Sequence, residues 1–181
     1  MSELTVGTRY AKSLIDLAIE QNALEATKQD MTFFVQTLKA NTQLQAVLRN
    51  PIISQDKKLK VLEGVFTGRV SANTLAFFKI MISKGRGEVL YPAAQEFVNL
   101  YNIKMKIVNA KVVSAAPLSE ANKQEIIADV QKIAGAQVNL QTLVDPALIG
   151  GFILTVGDRQ IDTSIATSLK KLKKDFAEKV V

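Results

Sequence analysis

The hydrophobic period of this chain changes once, near Met105, and that change dictates a two-part fold. Before Met105 the pattern is helical throughout. It breaks at Gln21-Asn22, Asn41-Thr42, Asn50-Pro51, Thr67-Gly68 and Gly85-Arg86-Gly87. Intervals of roughly ten to eighteen residues suit short helices joined by tight loops. Pro51 ends one helix, because the residue before a proline is pushed out of the α region. Ser54 and Ser71 are candidate N-caps for the helices that follow.

After Met105 β-branched residues and alternation take over. Ile107–Ala115 reads as a strand. A helix then opens with Ser119 as N-cap, carries an apolar stripe of Ile126, Ile127, Val130, Ile133 and Ala134, and stops at Gly135. Val138–Val144 is a second strand. Phe152–Val156 and Arg159–Asp162 flank Gly157-Asp158, two residues that favour a tight hairpin turn. Gly150-Gly151 reads as a bend or a close backbone approach. Ser164 is placed to cap a last helix whose stripe is Ile165, Leu169, Leu172, Phe176 and Val180. The expected fold is therefore mainly α: an N-terminal bundle of about six helices (residues 1–105), then a small α+β C-terminal domain (106–181). That domain has too few elements to cover both faces of its sheet.

Composition removes most chemistry. The chain of 181 residues has no Cys, His or Trp. No disulfide framework, thiol nucleophile or thiolate zinc site is available, and no imidazole acid/base pair or Ser/His/Asp triad. There is no phosphate-binding Gly-x-x-x-x-Gly-Lys-Ser/Thr loop. Asp145, Asp158 and Asp162 each have a structural task, in a turn before Pro146, in the hairpin and ahead of a helix start. No catalytic residue, metal ligand or cofactor site is expected. The formal net charge of +6 is spread over both parts, +4 in residues 1–105 and +2 in 106–181. The densest basic run, Lys170-Lys171-Leu172-Lys173-Lys174, reads as a solvated helix face. No apolar run reaches the roughly 18 residues of a spanning helix, and Met1-Ser2-Glu3-Leu4 lacks the basic start of a secretory signal. The chain is read as made and kept in the cytoplasm.

Two helices are too apolar for one core. At about 100° per residue, Val6, Leu17, Tyr10 and Leu14 of the first helix occupy an arc from about 0° to 80°, and Ala18, Ala11, Ile15 and Ile19 continue it to about 220°. That is about twice the stripe a surface helix needs. In the fifth helix Leu75, Phe78 and Ile82 share a face, Phe77 and Met81 lie nearly opposite, and Ala76 and Ile80 lie between. Two such helices can form a groove for an amphipathic partner helix. The expected lining is Val6, Tyr10, Ser13, Leu14 and Leu17 with Ala76, Ile80 and Ser83, leaving Ala11, Ile15 and Ala18 for the core. The small residues Ser13, Ala76 and Ser83 allow close approach.

Several stretches, in order and at fixed spacing over most of the chain, carry a resemblance: Arg9-Tyr10-Ala11-Lys12-Ser13-Leu14; Asn50-Pro51-Ile52-Ile53 followed by Lys57 and Leu62; Lys84-Gly85-Arg86; and Ser114-Ala115-Ala116-Pro117-Leu118-Ser119. The most specific is Val144-Asp145-Pro146-Ala147-Leu148-Ile149-Gly150-Gly151-Phe152, with Gly157-Asp158 and Ile161-Asp162-Thr163-Ser164-Ile165 after it. Together they resemble the delta subunit family of F-type ATP synthases, counterpart of the mitochondrial oligomycin-sensitivity-conferring protein. Thr163 stands where many relatives have Gly. The resemblance implies a non-catalytic stator subunit of the peripheral stalk, which couples rotation driven by proton flow to ATP synthesis. Its bundle would hold N-terminal helices of alpha subunits. Its C-terminal domain, through Gly150, Gly151, Leu169, Leu172 and Phe176, would hold the stalk's b subunits. It would be a peripheral protein on the cytoplasmic face of the bacterial membrane, with no direct membrane insertion and no nucleic-acid partner. From composition alone, a small basic nucleic-acid-binding adaptor is the alternative; against it stand only 11 aromatics and no basic cluster interleaved with them.

Overall fold

The computed structural model describes residues 3–179, with the side chains of 5–174 and of Phe176. The chain divides into two compact units, Met1–Asn102 and Ile103–Val181. The fold is mainly α with a small α+β C-terminal part.

The first unit is built from α1 (Glu3–Glu20), α2 (Leu24–Ala40), α3 (Thr42–Arg49), α4 (Gln55–Phe66), α5 (Ala72–Ser83) and α6 (Leu90–Lys104), whose last turn runs past the division. Every interruption in the helical pattern coincides with a helix end. Ser71 caps α5, its hydroxyl accepting the Thr74 N–H, while Ser54 precedes α4 without a capping bond from its side chain. Asp30 of α2 reinforces the α5 start: one carboxylate oxygen accepts from Ser71 N (2.9 Å) and Thr74 Oγ1 (2.8 Å). The C-terminal end of α5 is closed by Gly85 at φ +70, with Arg86 N bonded to Met81 O and Gly85 N to Ile82 O, the paired bonds of a Schellman cap. A short 3-10 turn at Gly87–Val89, not foreseen from the pattern, leads into α6. Gly87 has no room for a side chain, since a Cβ would lie 2.8 Å from Leu48 O, the carbonyl that buried Lys58 also holds through Nζ at 2.9 Å.

Aromatic rings fill the centre of this unit. Phe34 lies 4.4 Å from Phe78 and 5.1 Å from Phe66, centroid to centroid, and all three are fully buried with Met31, Leu38, Leu62, Met81 and Phe97. Burying each such ring contributes on the order of 2–3 kcal/mol before entropy is charged.

The second unit contains β1 (Ile107–Ser114), α7 (Glu120–Ala134), β2 (Gln137–Val144), β3 (Phe152–Val156), β4 (Arg159–Asp162) and α8 (Ile165–Lys179). The sheet order is β2-β1-β3-β4. β1 and β2 are parallel and joined by α7, while β1/β3 and β3/β4 are antiparallel. Period-two alternation sends Ala110 and Val112 to one face beside Leu140 and Leu154, where Val130 of α7 completes a small core. Ser119 caps α7 and Gly135, at φ +61, ends it. The α7 stripe is shorter than its periodicity suggests. Ile126 and Val130 meet the sheet, but Ile133 is 73% exposed and Ala134 is exposed too, because the apolar contact ends before the last turn.

The second face of the sheet is largely polar, which is why a sheet this small tolerates it. Asn109, Lys111, Asn139 and Gln141 occupy it, with Asn139 Nδ2 donating to Asn109 Oδ1 at 3.1 Å. At one end a register row of Leu143, Val113 and Ile153 makes it apolar.

Candidate partner-binding surfaces

Three contacts set α1 and α5 side by side and antiparallel. Asn73 Nδ2 donates to Gln21 Oε1 at one end. Midway, the Tyr10 and Phe77 rings meet edge to face at 6.4 Å. At the other end Arg86, just past α5, joins Val6, Arg9, Tyr10 and Ser13 around a recess of about 190 Å³. The strip between the helices presents Ser13 and Leu17 from α1 and Ala76, Ile80 and Ser83 from α5, all exposed. Ile80 is 54% exposed and Leu17 40%, large values for apolar side chains in mid-helix. The hydroxyls of Ser13 and Ser83 bond back to their own helices, to Arg9 O and Ile80 O, so they offer the strip small bulk and few free donors.

Two residues expected on this strip are taken largely into the core, Val6 reaching only the wall of the recess. Leu14 is 3% exposed and Val6 also counts with the core, alongside Ala11, Ile15 and Ala18. The reason is the company of α1, namely α2, the 3-10 turn and α6, which a wheel of α1 alone leaves out, and α6 shows it best. It comes so close at Gly7 that a Cβ there would lie 3.4 Å from Ala93 N, and the core takes a wider share of α1. Tyr10 is half-buried as the floor of the strip. Met81 is likewise core, beside Phe78 and Ile82: only about 60–100° of helix separates it from them, not half a turn.

The C-terminal unit carries its own uncovered apolar residues. Leu169, Leu172 and Phe176 line one stripe of α8 and are each more than half exposed, Phe176 at 62%. Val180, the last member expected in that stripe, lies outside the described residues. Gly150 and Gly151 also serve the unit's own packing. A Cβ on Gly150 would lie 2.6 Å from Ile165 Cδ1; on Gly151, at φ +73, it would lie 2.4 Å from Thr163 O. These glycines let the β3 approach pass under the start of α8, where Ile165 N bonds Gly150 O at 3.0 Å.

Sequence reasoning missed Ile149. It is 66% exposed and sits at φ +66, ψ −40 in a tight γ-type turn closed by Gly150 N to Leu148 O at 2.7 Å. A β-branched residue there is strained. No feature of the local sequence other than the glycines after it signals this.

Asp162 organises the entry to α8. Its oxygens accept from Ser164 N and from Thr167 Oγ1, both at 2.8 Å. The hydrogen bonds from Ser164 and then Thr167, with the charge of Lys171, hold its carboxyl below the usual aspartate range. Tyr101, in contrast, donates to Glu25, and that bond, burial and the Glu25 charge push its phenol up to about 12. Among the described residues no cluster of three acidic or metal-ligating side chains occurs, and no helix is long and apolar enough to cross a membrane.

Comparison with known proteins agrees along nearly the whole chain. The family model described as ATP synthase delta (OSCP) subunit matches residues 6–176. The chain is 36% identical over 181 residues to ATP synthase subunit delta of Cytophaga hutchinsonii, covering 100% of this chain and 99% of that one. It is 35% identical over 173 residues to the chloroplastic subunit delta of Ochrosphaera neapolitana, covering 95% and 97%. A chain in the cryo-EM structure of the Toxoplasma gondii mitochondrial ATP synthase hexamer superposes with a TM-score of 0.69 at 27% identity, covering 94% of this chain and 97% of that one. Two small units without an acid/base constellation, with apolar residues left uncovered on defined helix faces, thus match these subunits end to end, and the chain belongs to the ATP synthase delta (OSCP) subunit family.

Proposed function

We propose that this protein is the non-catalytic joint of an F-type ATP synthase stator, holding the alpha/beta head to the peripheral stalk. The rotor turns within the head, and the head stays still only while this joint holds. The N-terminal unit binds N-terminal helices of alpha subunits along the α1/α5 strip. The C-terminal unit binds the ends of the b subunits along the α8 stripe, with Ile149 and Leu143 as further apolar contacts. As part of a membrane-bound complex, it works at the cytoplasmic face of a bacterial membrane without inserting into it.

One observation carries this reading: the strip combines exposed large apolar residues (Leu17, Ile80) with small ones (Ser13, Ala76, Ser83) between two antiparallel helices. That arrangement suits a helix laid lengthwise. The adhesion comes from buried apolar area at roughly 25 cal/mol per Å², less the cost of ordering the partner.

The test uses the full chain. Ile80→Asp and Ser13→Asp are expected to weaken binding of an alpha-subunit N-terminal peptide by about 2–4 kcal/mol in calorimetry, with circular dichroism unchanged. Leu172→Asp is expected to spare that peptide and to release the b subunits. Unchanged peptide affinity in both folded strip variants would remove the α1/α5 assignment, and loss of b binding in Ile80→Asp rather than in Leu172→Asp would reverse the two roles.

A further inference from the structure

The α1/α5 strip is not uniform along its length. At the end where α5 stops, the apolar residues give way to the recess of about 190 Å³ lined by Val6, Arg9, Tyr10, Ser13 and Arg86. Both arginines are exposed, and neither has a carboxylate partner among the described residues. Arg86 is held in place by the Schellman cap of α5, through its N–H to Met81 O at 2.8 Å, and Arg9 rides on the second turn of α1. Two arginines thus line one concave site together with Val6 and Tyr10, on two separately anchored elements. Guanidinium presents a planar set of donors matched to a carboxylate. What sets the recess apart is that it brings two arginines to one concavity, with no ion pair to either among the described residues.

We propose that this recess recognises a carboxylate, an Asp or Glu side chain of the helix docked on the α1/α5 strip. It makes the strip directional, because a helix can be seated with its acidic residue at the Arg9/Arg86 end in only one sense. The inference rests on the docking proposed above and adds a polar anchor to it. Such an anchor selects register and orientation, which a smooth apolar strip leaves weakly specified.

Calorimetry of the full chain against a synthetic peptide of the alpha-subunit N-terminal segment tests it, using Arg86→Gln, Arg9→Gln and peptides in which each Glu or Asp is replaced in turn by its amide. Each arginine variant is expected to bind about tenfold more weakly, and one particular amide peptide is expected to bind equally weakly to native and variant chains. Raising the ionic strength is expected to weaken native binding more than that of the variants. Native affinity in both arginine variants, with Ile80→Asp still disruptive, would overturn the carboxylate site and leave the docking intact. An arginine effect that survives every amide replacement would do the same. A peptide that fails to bind the native chain would overturn the docking reading, and this proposal with it.

Discussion

The two units solve the problem of burial differently. The N-terminal unit closes on itself: a cluster of phenylalanines at its centre is fully buried, and its exposed large apolar side chains are few, Leu17 and Ile80 lying on the strip and Ile19, Ile52 and Val61 off it. The C-terminal unit has a core of only Ala110, Val112, Val130 and Leu154, with partly buried neighbours, while Leu143, Ile149, Ile161, Ile165, Leu169, Leu172 and Phe176 are about half exposed or more. A bundle whose stability is secured internally can devote a surplus face to adhesion and remain folded without its partner. A unit that leaves so many of its large apolar residues in water gains more from being covered. The same adhesive task is thus performed by a preformed strip in one unit and by an incompletely covered fold in the other.

This contrast can be broken most directly in the bundle core. Phe78→Ala is expected to cost about 3–5 kcal/mol, seen in urea denaturation as earlier loss of helical signal, because Phe78 touches Phe34, Phe66 and Phe77. A cost below about 1 kcal/mol would mean the bundle is less self-sufficient than its packing indicates. In the C-terminal unit, Gly151→Ala forces a side chain into a left-handed conformation and against Thr163 O. A loss of about 1–3 kcal/mol is expected, read as selective broadening or loss of the sheet resonances by NMR. Gly64→Ala should move the other way. Gly64 is exposed in the middle of α4 with open space around its missing Cβ, so about 0.5–1 kcal/mol of stabilisation of the bundle is expected.

The smallest effects separate the units by pH. Tyr101 has its phenol raised, so its contribution is complete below the ordinary tyrosine pKa of 10.0 and is lost as pH climbs through about 12. Tyr101→Phe is expected to flatten that alkaline decline in the bundle. Asp162 has its carboxyl lowered, so its contribution is present above the ordinary value of 3.8 and fades as pH falls through the depressed one. Asp162→Asn is expected to flatten the acid decline of the C-terminal unit alone. A swap of the two effects between units would contradict the hydrogen bonds assigned to each group.

Much of the architecture is legible before any coordinates are known. Punctuation by Gly, Pro, Asn and Ser is local chemistry: Gly85 and Gly135 supply positive φ at helix ends, Ser71 and Ser119 cap helix starts, and Gly157-Asp158 turns a hairpin between strands at the expected residues. The crowding that makes Gly151 necessary is suggested by the Gly-Gly pair alone. The partner-facing strip is less legible. A helical wheel gives angle but not company, so it counts Leu14 and Val6 with Leu17 although the neighbouring elements bury the first two and spare the third.

The order of elements, their ends, the absence of Cys and His and the surplus of apolar arc on α1 and α5 are all properties of residue type and spacing, and the amino-acid sequence determines them without help. Which part of that surplus meets water, where Arg86 meets Arg9, and how Ile149 is held in a strained turn depend on residues far apart in the chain. Only tertiary packing decides these, because burial is shared among neighbouring elements and no single helix carries the information about what lies beside it.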